Sequence, residues 1–189
     1  MRKAVFIDRD GTLIKNIPYN ANPSLISLEY YAVEMLQWMK QKNFLLIIIS
    51  NQSGIARGFF SEMDVNEMHE AIQQKLSTYN VQLNAFYYCP HLVEGTIKEY
   101  AIDCICRKPK PGLIYKAAKD FDIDLNASWM IGDILNDVEA GNAAGCKTIL
   151  INNGNETEWI LNEKRAPLYT VQTLEQATEI MITYELEKV

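Results

Sequence analysis

The sequence predicts an α/β protein: one parallel sheet with helices on both faces. Three observations point there. Short, solid apolar runs recur along the chain, as expected of strands buried on both sides. Stretches with helical spacing alternate with them. Several of the runs stop at a polar residue, at Asp8, Ser50 and Asp133. In open parallel sheets the ligand site lies at the carboxyl ends of the strands.

Element by element, Lys3–Asp8 reads as a buried strand ending on an acid. Residues 12–29 contain Pro18, Pro23 and three asparagines and read as loop. Tyr31–Lys42 has helical spacing, with Val33, Leu36 and Met39 near one face. Phe44–Ser50 is a second buried strand. A helix follows from Ser61 to about Tyr79, opened by the cap-like Ser61-Glu-Met-Asp64. Ala85–Tyr88 is a third strand, and residues 89–112 are irregular. Leu113–Phe121 is a helix and Ser128–Ile131 a strand that stops at Gly132-Asp133. Val138–Ala144 is a helix closed by Gly145, and Lys147–Ile151 is a strand. A short strand at Leu168–Val171 and a helix from Leu174 complete a Rossmann-like order. Trp38, Trp129, Trp159 and Cys146 read as packing residues, and His69 as a surface or half-buried histidine without a partner.

The 189 residues fit one domain, 1–189, with no repeat, low-complexity tract or linker. A net charge of −6 argues against nucleic acid or an anionic membrane as the main partner. The apolar N-terminal run is too short for a signal peptide, and the longest apolar run, Phe44–Ile49, is far below membrane-spanning length. A cytoplasmic protein follows, whose four cysteines are reduced and suggest metal before disulfide.

Four motifs carry chemistry. In Asp8-Arg9-Asp10-Gly11-Thr12, two carboxylates at a strand end need a cation or a proton to offset their repulsion. Mg²⁺ fits, leaving one carboxylate to attack phosphorus and the other to move protons. By itself the motif reads equally well as an acidic turn. Ser50-Asn51-Gln52-Ser53-Gly54 offers a hydroxyl and backbone N–H groups to phosphoryl oxygens, but alone it is an ordinary turn. In Arg107-Lys108-Pro109, Lys108 can neutralise a transferring phosphoryl group and Arg107 can grip a phosphate; the alternative is a solvated basic loop. In Gly132-Asp133-Ile-Leu-Asn-Asp137, Asp133 can bind the metal, and Asp137 can bind it through water or orient Lys108. The alternative is acids that stabilise a helix N-terminus. Four such motifs in order, each near a strand end, are hard to obtain by chance.

Cys89-Pro-His91 and Cys104-Ile-Cys106 add three thiols and an imidazole. Such a set can close a tetrahedral zinc site with no ligand left for water, hence a structural one. Buried cysteines acting as small apolar residues are the alternative. The loop of about 89–106 is polar and long, which favours the metal, and it would fix Lys108 two residues after a ligand.

From Asp8 to about Gly154 the chain resembles the haloacid dehalogenase (HAD) superfamily of phosphatases. The resemblance implies a HAD-like, nearly capless fold. It makes Asp8 the nucleophile and Asp10 the general acid/base, with Ser50 and Lys108 holding the phosphoryl group. Mg²⁺ is then held by Asp8, Asp133 and the Asp10 backbone carbonyl, with Asp137 behind them. The stretch Asn51–Gly58, with Cys-Pro-His and Cys-x-Cys-Arg-Lys-Pro, is similar to the heptose-bisphosphate and histidinol-phosphate phosphatase family. Ile55-Ala-Arg-Gly58 favours the heptose branch. That resemblance implies removal of the 7-phosphate of a D-glycero-D-manno-heptose 1,7-bisphosphate, on the bacterial route to ADP- or GDP-heptose for lipopolysaccharide or another glycan. Asn51, Gln52, Arg57 and Arg107 would line the substrate side. The partner is then a small phosphorylated metabolite, with Mg²⁺ catalytic, Zn²⁺ structural and the chain a monomer. Ile134 departs from the pattern, since many relatives carry Lys or Arg there, and the loop Asn16–Ser24 with its two prolines is unusual. Histidinol-phosphate hydrolysis, a phosphomutase or phosphotransferase, and a non-catalytic zinc-stabilised binding module are the competing readings. The last is disfavoured because Asp8, Asp10, Lys108 and Asp133 are all present.

Overall fold

The structure, a computed structural model, describes residues 1–187. Six strands, β1 (Ala4–Ile7), β2 (Leu45–Asn51), β3 (Ala85–Cys89), β4 (Trp129–Gly132), β5 (Lys147–Ile151) and β6 (Tyr169–Val171), form one sheet in the order β3-β2-β1-β4-β5-β6. Every pairing is parallel. The helices are α1 (Ala32–Gln41), α2 (Glu62–Ser77), α3 (Gly112–Phe121), α4 (Leu135–Ala144) and α5 (Leu174–Leu186).

Strand alternation sorts the core into two layers. Val5 and Ile7 of β1 pack with Trp129 and Ile131 of β4 under α1, α2 and α5, through Met35, Leu36, Met68, Ile72 and Met181. Ala4 and Phe6 face the other way, with Met130, under α3 and α4 through Leu113, Ile114 and Ala140. Both faces of the central strands are thus dry, which is why these strands read as unbroken apolar runs.

The predicted order of elements holds, with shifted ends. α2 begins where Ser61 predicts it: the Ser61 hydroxyl accepts from Asp64 N at 3.2 Å, and Asp64 Oδ2 accepts from Ser61 N at 2.6 Å. β3 continues through Cys89, which is fully buried. α4 begins three residues before the expected start. Its first turn contains Asp137, whose Oδ2 accepts from Ile134 N at 3.2 Å and caps the helix. The 12–29 loop is not purely superficial, for Leu13, Ile14 and Ile26 are buried in the core. Trp129 is fully buried and Trp38 half-buried, as expected of packing residues, but Trp159 is 48% exposed on the segment after β5. His69 is half-buried and does have a partner, stacking on Phe86 with centroids 4.5 Å apart.

Strand order reverses between β1 and β4, so the crevice that such sheets use for ligands opens there. Ile7 pairs with Ile131, and Asp8 N donates to Ile131 O at 2.9 Å. The residues after β1 therefore leave the sheet beside Gly132-Asp133.

Candidate active site

At that crevice Asp8, Lys108, Asp133 and Asp137 come together, all buried. Lys108 Nζ lies 2.5 Å from Asp8 Oδ1 and 2.5 Å from Asp137 Oδ1, and donates to Ile49 O at 2.9 Å. Carboxylate oxygens of Asp8, Asp133 and Asp137 lie within 4.8 Å of one another. Burial alone would lower the Lys108 ammonium; Asp137 and Asp8 outweigh it and hold the group above the ordinary lysine value. Burial pushes Asp8 well above the ordinary carboxylate range, against the pull of Lys108, and Asp137, Asp133 and Asp10 push it further. Burial and then Asp137 raise Asp133 to about 6.

Two glycines make room. A Cβ at Gly132 would lie 2.2 Å from Asp137 Cβ, so β4 turns into α4 closely enough to put Asp133 and Asp137 on one side. Gly11 has φ +92, and a Cβ there would lie 2.1 Å from Asp133 Oδ2.

Motif two holds other parts of the site in place. Asn51 clamps the Lys108 peptide, donating to its carbonyl and accepting from its N–H, both at 3.0 Å. Gln52 is 3% exposed and uses both ends of its amide. It donates to Asp10 Oδ2 at 2.9 Å and Ser50 Oγ at 2.6 Å, and accepts from Arg9 Nη2 at 3.0 Å. Arg9 Nε also donates to Asp10 Oδ2 at 2.9 Å. The Asp10 carboxylate thus stands apart from the three-acid cluster, held by Arg9 and Gln52 and partly open to solvent.

A cavity of about 390 Å³ lies against this network, lined by Arg9, Asp10, Asn51, Gln52, Phe60 and Ile134 among others, with residues 16–20 forming a wall. In that wall Tyr19 meets Phe59 edge-on, with centroids 4.8 Å apart, and Arg57 lies 5.8 Å over the Tyr19 ring. Of the four residues expected on the substrate side, Asn51 and Gln52 line the cavity; Arg57 and Arg107 do not. Arg107 instead donates to the His91 carbonyl at 3.3 Å. A larger cavity at the opposite end of the strands, lined by Arg2, Lys3, Lys40 and Phe44, holds none of this chemistry.

The segment after β5 joins the site through residues that sequence reasoning missed. Asn153 Nδ2 donates to Gly11 O at 2.7 Å, Asn155 Nδ2 to Asp133 Oδ2 at 2.7 Å, and Glu156 Oε2 accepts from Leu135 N at 2.6 Å. An Asn-rich stretch following a strand was the available signal, and it reads equally as a turn.

Cys89, His91, Cys104 and Cys106 converge as well, with all four ligand atoms within 4.8 Å. Cys89 Sγ lies 3.5 Å from Cys104 Sγ and 2.9 Å from Cys106 Sγ, and His91 Nδ1 lies 3.3 Å from Cys106 Sγ. All four cysteines of the chain are free. The contact with Cys89 favours the thiolate at Cys106, lowered to about 5. Three sulfurs and a ring nitrogen around one point, with no disulfide, suit a closed tetrahedral Zn²⁺. Glu62 at the start of α2 ties the loop down, accepting from Tyr88 Oη at 2.5 Å and Tyr100 Oη at 2.8 Å.

The acidic cluster suits a different ion. Three buried carboxylates against one ammonium leave a formal charge of −3 + 1 = −2. Burial first, and then the neighbouring carboxylates, displace Asp8 and Asp133 upward. A hard divalent cation with oxygen ligands would cancel the net charge.

A family model described as HAD-hydrolase-like matches residues 105–177. The D-glycero-beta-D-manno-heptose-1,7-bisphosphate 7-phosphatase of Pasteurella multocida (strain Pm70) is 43% identical over 157 residues, 82% of this chain and 84% of that protein. The protein of the same name from Escherichia coli (strain K12) is 35% identical over 170 residues, 84% of this chain and 88% of its own. Among solved structures, D,D-heptose 1,7-bisphosphate phosphatase from B. bronchiseptica, complexed with magnesium and phosphate, shares the fold with a TM-score of 0.78. Its identity is 24%, over 96% of this chain and 99% of that one.

Proposed function

Because this chain belongs to the HAD-like phosphatases, we propose that it hydrolyses the 7-phosphate of D-glycero-β-D-manno-heptose 1,7-bisphosphate through a phospho-aspartate on Asp8. The chain is a phosphoric monoester hydrolase; the sugar, the anomer and the residue roles are the proposal. The observation that carries it is the buried Asp8 carboxylate, held by Lys108 with Asp133 beside it, at the reversal point of the sheet.

An oxygen of Asp8 attacks phosphorus, and the bond from phosphorus to the sugar oxygen breaks. Asp10 gives its proton to that departing oxygen. Asp10 then takes a proton from water, whose oxygen attacks the phosphoryl group and frees Asp8. Lys108 sits against Asp8, where it neutralises charge on the transferring group, and Asp137 fixes its ammonium. Ser50 holds a phosphoryl oxygen by its hydroxyl. Asn51 keeps Lys108 in place through its peptide, and Gln52 with Arg9 aims the Asp10 carboxylate. Asp8, Asp133 and the Asp10 carbonyl would hold Mg²⁺, with Asp137 behind them. HAD phosphatases use this ion, and it supplies charge neutralisation at the phosphoryl oxygens. Cys89, His91, Cys104 and Cys106 would hold a structural Zn²⁺, which would fix the loop that ends at Arg107 and Lys108. Arg57 and Arg107 complete the substrate side when the sugar is bound. The enzyme works as a cytoplasmic monomer, on the route to a nucleotide-activated heptose for lipopolysaccharide. Among the described residues no helix is long and apolar enough to cross a membrane.

The test is phosphate release with Mg²⁺ from both anomers of the heptose bisphosphate, histidinol phosphate and common sugar phosphates. The β-anomer is expected to lead in kcat/KM by about tenfold or more, a difference of about 1.4 kcal/mol in transition-state binding. Preference for histidinol phosphate overturns the sugar assignment. Asp8→Asn is expected to abolish turnover with an unchanged circular dichroism spectrum, and residual turnover near wild type removes Asp8 as nucleophile.

A further inference from the structure

We infer that Asn155 is a positioning residue: from the segment after β5 it holds the Asp133 carboxylate in the orientation in which that carboxylate takes the divalent cation. The inference rests on the reading of Asp133 as a metal ligand.

Both oxygens of Asp133 have side-chain donors. Thr12 Oγ1 donates to Oδ1 at 3.2 Å, and Asn155 Nδ2 donates to Oδ2 at 2.7 Å. Thr12 belongs to the turn after β1, and Asn155 reaches in from beyond β5, so the carboxylate is gripped by two separate segments. An ionised carboxylate has about four acceptor sites, and two donors leave others for a cation. The shorter of the two grips is the asparagine's.

The surroundings are shaped for that bond. A Cβ at Gly11 would lie 2.1 Å from Asp133 Oδ2 and 2.5 Å from Asn155 Nδ2, so the hydrogen bond passes across the space a side chain there would fill. Asn155 is itself fixed, its backbone N–H donating to Asn153 Oδ1 at 3.2 Å while Asn153 holds the Gly11 carbonyl. Glu156 pins the segment independently through Leu135 N. Because Asn153 and Glu156 already staple this segment, the Asn155 amide is free of that task, and among the described residues its one side-chain hydrogen bond goes to Asp133. Partners that orient metal-binding carboxylates act in this way.

The test titrates Mg²⁺ alone into the purified protein by calorimetry. Asn155→Leu removes the donor at similar volume and is expected to weaken Mg²⁺ binding about tenfold, the low end of the effect for such partners. Raising Mg²⁺ should then restore kcat, with the substrate KM at saturating Mg²⁺ unchanged. Asn155→Ala serves if the leucine variant does not fold. Wild-type Mg²⁺ affinity in the folded variant overturns the inference. So does an equal loss in Glu156→Ala, because loop ordering would then be the cause. If Asp133→Ala keeps wild-type Mg²⁺ affinity, the metal-ligand reading of Asp133 fails instead.

Discussion

Lys108 is the one cation in contact with both Asp8 and Asp137 among the described residues, and it reaches them from a loop a hundred residues beyond Asp8. A buried ion pair contributes little net stability, but breaking one partner out of it leaves charge stranded in a dry site. Lys108→Met is therefore expected to destabilise the protein by about 3 kcal/mol in urea unfolding. The same variant should lose turnover by about a hundredfold or more. An unchanged urea midpoint would show that the contacts of Lys108 with Asp8 and Asp137 contribute nothing to stability. Ile134 belongs to this scale as well. It lines the cavity through an apolar side chain, and its backbone N–H is already held by Asp137. Any second phosphate must find its cation elsewhere on the wall.

Among the elements, strands and helices were largely legible in the sequence because burial on both faces writes them as solid apolar runs. The start of α4 was not, since its first turn depends on Asp137 folding back onto Ile134 N. The four motifs were legible because each is contiguous; three sit at the ends of β1, β2 and β4, while Arg107-Lys108-Pro109 lies in the loop before α3. Asn155, Glu156 and the Tyr19–Arg57 contact were not, for they acquire meaning only when distant segments meet. The Cys/His loop shows both sides: the residues that cluster there could be read, but their anchor on α2 could not. Hydrogen bonds from Tyr88 and then Tyr100 hold the Glu62 carboxyl below the ordinary glutamate value. A carboxyl lowered in the folded state stabilises above its unfolded value, and that contribution is lost as pH falls through the folded one. Thermal stability should thus decline as pH falls below the ordinary glutamate range, and Tyr100→Phe should flatten part of that decline in pH-dependent melting curves. An identical slope in the variant would show that Tyr100 contributes nothing to the anchoring.

For the molecule as a whole, the acidic cluster and the Cys/His cluster each suit a metal ion, and the proposed function gives them separate tasks. Removing zinc with a chelator is expected to release about one ion per chain. It should also speed amide hydrogen exchange across residues 89–106 and lower turnover, while β1 and β4 stay protected. Full activity in zinc-free protein would detach the loop from catalysis. The order of the sheet has a further consequence, for biosynthesis. Of the six strands β1 leaves the ribosome first, yet one of its two neighbours, β4, comes more than a hundred residues later. While β2 and β3 assemble on one side, the other edge of β1 stays open in the nascent chain, an invitation to wrong pairing. The acids that must meet are made at opposite ends of that interval, and Asn155 later still. The acidic cluster therefore cannot assemble in the growing polypeptide until β4 and the residues after it have been translated.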